Sequence, residues 1–345
     1  MQKKWTRQPR TALNRVRIEE VARVAGVSPM TVSRSFSAPE MLTEKTRKRV
    51  QAAVEATGYI PNRIAGSLAS SRSRTVGVII PNLTNSIFAD KVQGMSDVLS
   101  EAGYQLLVGN SGYSPETEAE LVAAFLAQNA SGIVVTGATH AERTRRMLAQ
   151  GNAIVVETWS LTQAPIDMQV GFSNDAAAYA MVQHLHADGY RRIGFVSAPI
   201  AENDRALGRL EGYRRAMREH GSFDPRLERQ AEFSFRNGAE AMADLIEAHK
   251  DIDAVFFAND VLAAGALFEC RRRGIDVPGQ LGIAGFDNLD LTMEIVPRLT
   301  TVSIPRYDIG ATAARMILKR LADEDVAGSA DLGFQIIPRD STHRR

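Results

Sequence analysis

The 345-residue chain has a single cysteine, Cys270, which excludes a disulfide framework and any multi-cysteine metal centre. It has no run of about 18 apolar residues, and its first 15 residues are basic and polar with no apolar stretch. Neither membrane insertion nor export is therefore expected, and the reading is a soluble, cytoplasmic protein. GxGxxG, Walker, GxSxG and HExxH patterns are missing, so the common signatures of nucleotide binding and hydrolysis are absent. Cys270 sits in the helical text ALFECRRRG and reads as a packed thiol rather than a nucleophile. His184 and His186, two apart, would point to different sides of a helix, which argues against a shared metal. No catalytic centre, cofactor or metal is expected.

What the chain does have is a segregation of charge. Residues 1–75 carry 15 Lys and Arg against 5 Asp and Glu, while the remainder carries 26 against 35, and the two parts nearly cancel to a net +1. A basic module thus precedes an acidic body. That split points to nucleic acid for the first part, with a solvated basic tail as the plainer alternative.

From Arg17 the text reads RIEEVARVAGVSPMTVSRSFS. Ile18, Val21, Ala22 and Ala25 share one helical face, and Gly26 punctuates a turn. Ser28 suits the N-cap of a second helix, Pro29 its first position, and Val32 and Phe36 its inward stripe. This is helix-turn-helix spacing. Ser28, Pro29, Met30, Thr31, Ser33 and Arg34 would face outward and offer hydroxyls, a guanidinium and an apolar contact to a major groove. A third helix is expected from Thr43 to Thr57, with Val50, Ala53 and Val54 inward, Lys45, Arg47, Lys48 and Arg49 outward, and Gly58 as its stop. An unrelated helical hairpin with a solvated basic face is the alternative on these residues alone.

The run VARVAGVSPMTVSRSF, followed by TEKTRKRV and GYIPNRIAGSLAS, resembles the headpiece and hinge of the LacI/GalR family of bacterial transcriptional regulators. The resemblance implies that the segment from Asn62 to Ser70 is a hinge helix formed on operator DNA, with Leu68 as a minor-groove wedge. An apolar wedge can unstack a base step, and RIAGSLASSRSR is too small and polar to hold an isolated helix. Gly66 lowers its helix propensity further. A plain flexible linker is the alternative.

After Arg74 the composition changes to short apolar runs alternating with amphipathic stretches. The runs are Thr75–Ile80, Tyr104–Gly109, Gly132–Val135, Ile154–Val156, Ile193–Val196, Ala254–Phe257, Leu281–Ala284 and Val302–Ile304. Between them, Phe88–Glu101 and Asn174–Ala187 show helical periodicity. The expected fold is α/β: a three-helix, helix-turn-helix headpiece plus a bilobed core of two doubly wound parallel sheets. The chain divides into a basic arm at 1–15, a DNA-binding domain at 16–61, a hinge at 62–74 and a core at 75–345. Lobe one is expected at about 75–172 and 304–330, and lobe two at about 173–303 and 331–345.

Ligands of open parallel sheets bind beyond the carboxyl ends of the strands. The residues there are polar: Asn82–Phe88, Thr136–His140, Glu157–Trp159, Ser197 leading to Arg209, Asn259–Asp260, Asp287–Asn288, and Arg306. Carboxylates and amides can bind hydroxyls, aromatic rings can cover a sugar face, and arginine can clamp a carboxylate. Helix capping by Asp260, Asp287 or Asn174 is the competing role.

The family resemblance extends over nearly the whole chain through VGVIIPNLTNSIFAD, GFSND, VFFANDVLAAGAL, IAGFDN and PRLTTV, and implies a core similar to periplasmic sugar-binding proteins. It carries the effector contacts over to Phe88, Arg209, Asn259 and Asp287. VVETW replaces the aspartate that many members carry, which brings in Glu157 or Thr158; His140 is the histidine placed near the cleft, and Arg306 stands near the last crossover. These departures look closest to the gluconate repressor branch, whose effectors are sugar acids; a second arginine in the cleft fits an anionic sugar, with Arg306 or Arg209 expected to hold its carboxylate and Asp287 and Asn259 its hydroxyls. Arg306 could equally be a structural partner of an inter-lobe carboxylate.

The resemblance implies a homodimer on palindromic operator DNA, and the ending DSTHRR lacks the leucine heptads that make tetramers in some relatives. A cytoplasmic sugar-binding protein and an undetected sugar-processing enzyme are the competing classes. The basic headpiece favours the regulator.

Overall fold

The computed structural model describes residues 16–60, 73–83 and 85–343. The basic arm and most of the hinge, including Asn62 and Leu68, lie outside the described residues. The chain forms two compact units, which divide at Ser73 and Arg74.

The first unit contains α1 (Ile18–Ala25), α2 (Pro29–Ser37) and α3 (Glu44–Thr57). Gly26 closes α1 at φ 63°, where a side chain would meet the Arg49 guanidinium. Arg49 Nη2 instead donates to the carbonyls of Ala25 and Gly26, at 2.6 and 3.3 Å, and so locks the turn to α3. Ser28 Oγ accepts from Thr31 N and Thr43 Oγ1 from Thr46 N, so both expected caps form. Val21, Ala22, Ala25, Val32, Val50 and Ala53 make the core. The inward placement of Phe36 does not hold: it is 47% exposed and leans on Tyr59 at 6.4 Å. The core is built from alanine and valine, and it closes before it reaches that ring. Val54 is likewise only half-buried at the margin of this core.

The second unit alternates strands and helices. Lobe one holds β1 (Thr75–Ile80), α4 (Ile87–Glu101), β2 (Gln105–Asn110), α5 (Pro115–Ala127), β3 (Gly132–Thr136), α6 (Glu142–Gln150), β4 (Ile154–Trp159) and β5 (Met168–Gly171). Lobe two follows with α7 (Asn174–Ala187), β6 (Ile193–Ser197), α8 (Asp204–Glu219), β7 (Glu228–Gln230), α9 (Phe235–Ala248), β8 (Ala254–Phe257), α10 (Asp260–Arg273), β9 (Gly282–Asp287), α11 (Leu291–Glu294) and β10 (Thr300–Ser303). The chain returns to lobe one through α12 (Arg306–Leu321) and β11 (Ser329–Asp331), then ends its sheets with β12 (Gln335–Ile337).

The first sheet runs β11-β5-β4-β3-β1-β2, with parallel neighbours throughout. The second runs β12-β10-β9-β8-β6-β7, parallel except where β12 pairs antiparallel with β10. That edge strand departs from an all-parallel sheet. The strand order reverses between β1 and β3 in one lobe and between β6 and β8 in the other, and ligand crevices open at such points.

One continuous apolar cluster runs from Val76 and Val134 of lobe one through Phe172 to Phe286 and Val302 of lobe two. The helices α4 and α12 touch backbone to backbone, because Gly94 faces the Tyr307 carbonyl and Gly310 the Lys91 carbonyl, where a Cβ would clash. Among the described residues, no helix is long and apolar enough to cross a membrane.

Candidate functional site

In the headpiece, α2 presents Ser28, Pro29, Met30, Ser33 and Arg34 to solvent. Met30 is 65% exposed, which is unusual for so apolar a side chain and suits a surface that meets bases. Thr31 is half-buried, its hydroxyl 2.9 Å from that of Ser28. Lys45, Arg47, Lys48 and Arg49 are exposed along α3, with Lys48 paired to Glu44 at 2.9 Å.

In the core, the strand ends of lobe two bring together Arg209, Asn259 and Asp287, all buried. Asn259 and Ser173, not Asp260 or Asn174, cap the helices that start there, through Val261 N and Ala176 N. The capping role considered for Asp260, Asp287 and Asn174 therefore falls away, since the preceding residue in two cases already fills it. Asp260 instead accepts from Thr301 Oγ1 at 2.6 Å and Leu289 N at 2.8 Å, a fully buried brace from the start of α10 to β10 and to the segment after β9. Burial, aided by the Asp287 charge, holds its carboxyl well above the usual range.

Arg209 places its guanidinium carbon over the Phe286 ring, 3.6 Å from the centroid. Its Nε donates to Asn174 Oδ1 at 2.9 Å and its Nη1 to the Ala258 carbonyl at 2.6 Å, which aims Nη2 at Asp287 Oδ1 4.0 Å away. Asp287 Oδ2 accepts from Asn259 Nδ2 at 2.5 Å, while its Oδ1 is buried without a hydrogen-bond partner. Burial pushes the Asp287 carboxyl up to about 6 against the pull of Arg209 and Arg306, and burial likewise lowers Arg209 to about 10. A carboxylate oxygen and a guanidinium arm 4.0 Å apart are placed to share a hydroxyl.

Lobe one contributes Phe88, whose ring packs at 5.4 Å from Trp159. Thr158 donates to the Val135 carbonyl at 2.7 Å and accepts from Lys91 Nζ at 3.2 Å. His140 and Glu157 face each other at 3.6 Å, His140 also bonding Glu118 at 2.8 Å and Glu157 accepting from Ile166 N at 2.6 Å. Burial alone would lower His140, but the Glu118 bond and charge, with Glu157, raise it; burial raises Glu157. These two residues thus form a network within lobe one rather than projecting freely.

Arg306 bridges the lobes. Its Nε binds Asp90 of α4 at 2.8 Å, and its Nη1 donates to the backbone carbonyls of Asp287 and Asn288. This is the structural-partner alternative raised by the sequence.

Sequence reasoning missed three residues at the cleft. Asp204 Oδ2 accepts from Ala138 N at 3.2 Å and Arg205 Nη1 donates to the Thr136 carbonyl at 3.3 Å, so the start of α8 latches onto the end of β3. Lys91, fully buried on α4, donates to Thr136 Oγ1 at 2.6 Å. The signal for it was present: a lysine interrupts the apolar face of Phe88, Val92 and Met95. Among the described residues, no group of three or more His, Cys, Asp and Glu is arranged to hold a metal. A separate groove of about 370 Å³ lies on lobe two between α9 and α10, flanked by Phe235 and Phe268, away from these strand ends.

Residues 17–62 match the family of bacterial regulatory proteins, lacI family, and residues 182–342 match the periplasmic binding protein-like domain. The chain is 36% identical to the HTH-type transcriptional regulator IdnR of Escherichia coli over 94% of its length and 97% of that protein. It is 37% identical to the HTH-type transcriptional regulator GntR of Pseudomonas aeruginosa, covering 94% and 95% respectively. Among solved structures, a LacI-family regulator from Silicibacter pomeroyi superposes with a TM-score of 0.89 at 35% identity, covering 95% of this chain and all of that one. The lac repressor dimer bound to operator and the anti-inducer ONPF superposes at 0.84 and 26% identity, covering 95% and 99%. These relatives regulate transcription and are not enzymes. The chain belongs to the LacI family of DNA-binding transcriptional regulators, in the branch of regulators named GntR and IdnR.

Proposed function

We propose that the chain is a repressor of sugar-acid catabolism genes, acting in the cytoplasm as a homodimer on a palindromic operator. A sugar acid such as gluconate or a ketogluconate binds between the lobes and sets the affinity for DNA. The observation that carries this reading is the set of Arg209, Asn259 and Asp287, with Asp287 Oδ1 buried and unpartnered beside Arg209 Nη2. Leaving a buried carboxylate oxygen unpartnered is costly, and a ligand hydroxyl removes that cost. Phe88 and Trp159 supply an apolar wall for the sugar face.

In this reading, α2 reads base edges with Met30, Ser33 and Arg34, Ser28, Pro29 and Thr31 settle its N-terminus on the backbone, and Asn62 and Leu68 act at the minor groove. Arg306 communicates between the lobes, since closing or opening the cleft must move Asp90 relative to the carbonyls of Asp287 and Asn288. The same motion shifts the Asp204 and Arg205 latch on β3. The branch, with relatives named GntR and IdnR, supports a sugar acid, and the lac repressor dimer supports the two-fold arrangement.

A thermal-shift screen against sugar acids, neutral sugars and purines tests it, because a ligand of the native state raises Tm with its occupancy. A rise with gluconate or a ketogluconate, together with a change in operator retention on a gel, is expected. A rise only with neutral sugars or purines overturns the effector class.

A further inference from the structure

We propose that Lys91 is the charge partner of the effector: its Nζ binds the carboxylate of the sugar acid at the ends of β3 and β4. The inference rests on the effector class proposed above and names the atom that selects acid over neutral sugar.

Lys91 is fully buried, and its polar partners are two hydroxyls, Thr136 Oγ1 at 2.6 Å and Thr158 Oγ1 at 3.2 Å. Both threonines spend their own protons on carbonyls, Thr136 on Ile79 at 2.9 Å and Thr158 on Val135 at 2.7 Å, so each can only accept from the amine. An ammonium has three donors, and these hydroxyls take two. Its face is flanked by the rings of Phe88 and Trp159, each 5.8 Å from Nζ.

The other cations of the cleft each have a carboxylate: Arg306 has Asp90 at 2.8 Å, Arg205 has Asp204 at 3.1 Å, and Arg209 faces Asp287 at 4.0 Å. Among the described residues, Lys91 forms no ion pair with a carboxylate. A buried charge without a counterion is expensive, and the arrangement therefore lacks one anion. A ligand carboxylate supplies both the third acceptor and the missing charge.

Burial, with a smaller push from Arg205, lowers the amine to about 7. Arriving anions favour the charged form, so above about pH 7 acid binding draws a proton from solution, and below it does not. Of the ionisable groups of the same cleft, Arg205 acts on the amine directly; the others are Asp90 and Arg306 on α4 and α12, Asp204 and Arg209 on α8, Asp287 at the end of β9, Tyr113 after β2, and the His140, Glu118 and Glu157 network. Because His140 is also shifted, a control variant must separate the two.

The test is calorimetry of the full chain with gluconate, 2-ketogluconate and glucitol at pH 6.5 and 8.5, each in two buffers of different ionisation enthalpy. The parent is expected to take up close to one proton per gluconate at pH 8.5. Lys91→Met keeps the shape and removes the charge; it is expected to fold with equal or higher Tm, to lose proton uptake, and to bind gluconate roughly tenfold to a hundredfold more weakly. His140→Gln should retain proton uptake. Absence of proton uptake by a gluconate-binding parent overturns the inference whatever the variants do. So does a folded Lys91→Met that binds gluconate within twofold of the parent. If the parent binds no sugar acid at all, the proposed effector class fails, and Lys91 with it, which is a separate outcome.

Discussion

Asp287→Asn should stabilise this protein at neutral pH while weakening its binding of effector. The fully buried carboxyl of Asp287 titrates at about 6 in the folded protein, against an ordinary value of 3.8. The folded state therefore holds this proton more tightly than the unfolded chain does. Stability from this group is complete below about pH 3.8 and is lost as pH rises to about 6, beyond which the cost is constant. The interval between 3.8 and about 6 corresponds to about 3 kcal/mol.

Asparagine resembles the protonated acid in shape and charge. Its oxygen can keep the bond from Asn259, and its amide would lie where Arg209 already makes no close contact, 4.0 Å away. It also removes the charge that helps hold Asp260 protonated, which acts in the same direction. Parent and variant should therefore have nearly equal Tm near pH 4 and diverge by several degrees in favour of the variant by pH 7.5, at a ceiling of about 3 kcal/mol. Thermal unfolding followed by circular dichroism from pH 4 to 8 reads this directly. A parent-minus-variant difference that stays flat across that range, or that favours the parent at pH 7.5, refutes the reasoning. Calorimetry with gluconate should find the variant's affinity reduced at least tenfold, since Oδ1 becomes a donor facing a donor.

Three further outcomes are expected. Arg34→Ala should cost about 1–3 kcal/mol in specific operator binding at fixed salt and leave effector binding intact; equal DNA affinity would remove Arg34 from base readout. Gly94→Ala should destabilise the core by about 1–3 kcal/mol, because its Cβ meets the rigid Tyr307 carbonyl, and an unchanged Tm would show that α4 and α12 can separate freely. Leu68→Ser should reduce operator bending, read by energy transfer between labelled DNA ends, with no change in the Tm of the core; unaltered bending would leave the hinge a tether.

What was legible in the sequence follows from how local each cause is. Capping and turn chemistry act within four residues, so Ser28, Thr43, Gly26 and Gly58 specify their helix ends wherever the helices go. Fully inward strands such as Gly132–Thr136 announce themselves by continuous apolar text. The edge strands Glu228–Gln230, Ser329–Asp331 and Gln335–Ile337 do not, because they are short and partly exposed, and pairing with a neighbour rather than burial makes them strands. Arg306 illustrates a longer reach. Its place after the last strand of lobe two is local information, but its partner Asp90 lies 216 residues earlier, and only the fold brings them together.

The same logic explains why the sequence points to Arg209 and not to Lys91. A lysine among apolar residues on a helix normally lifts its ammonium to water along a flexible stem. Here α12 closes over α4 at Gly94 and Gly310, and β3 and β4 close below it, so the stem has no route out. The polar groups at these strand ends share one physical signature: burial works against the charge of Lys91, Arg209, Glu157, Asp260 and Asp287 alike. Asp260 offsets that cost with two internal bonds, and Glu157 partly offsets it with one. Lys91 has two hydroxyl acceptors but, among the described residues, no carboxylate, and Asp287 Oδ1 has no hydrogen-bond partner. A fold selected for stability alone would replace both with apolar or neutral side chains. Retaining a cation without a counterion in one lobe and an unpartnered carboxylate oxygen in the other makes physical sense when a molecule with a carboxylate and hydroxyls bridges them.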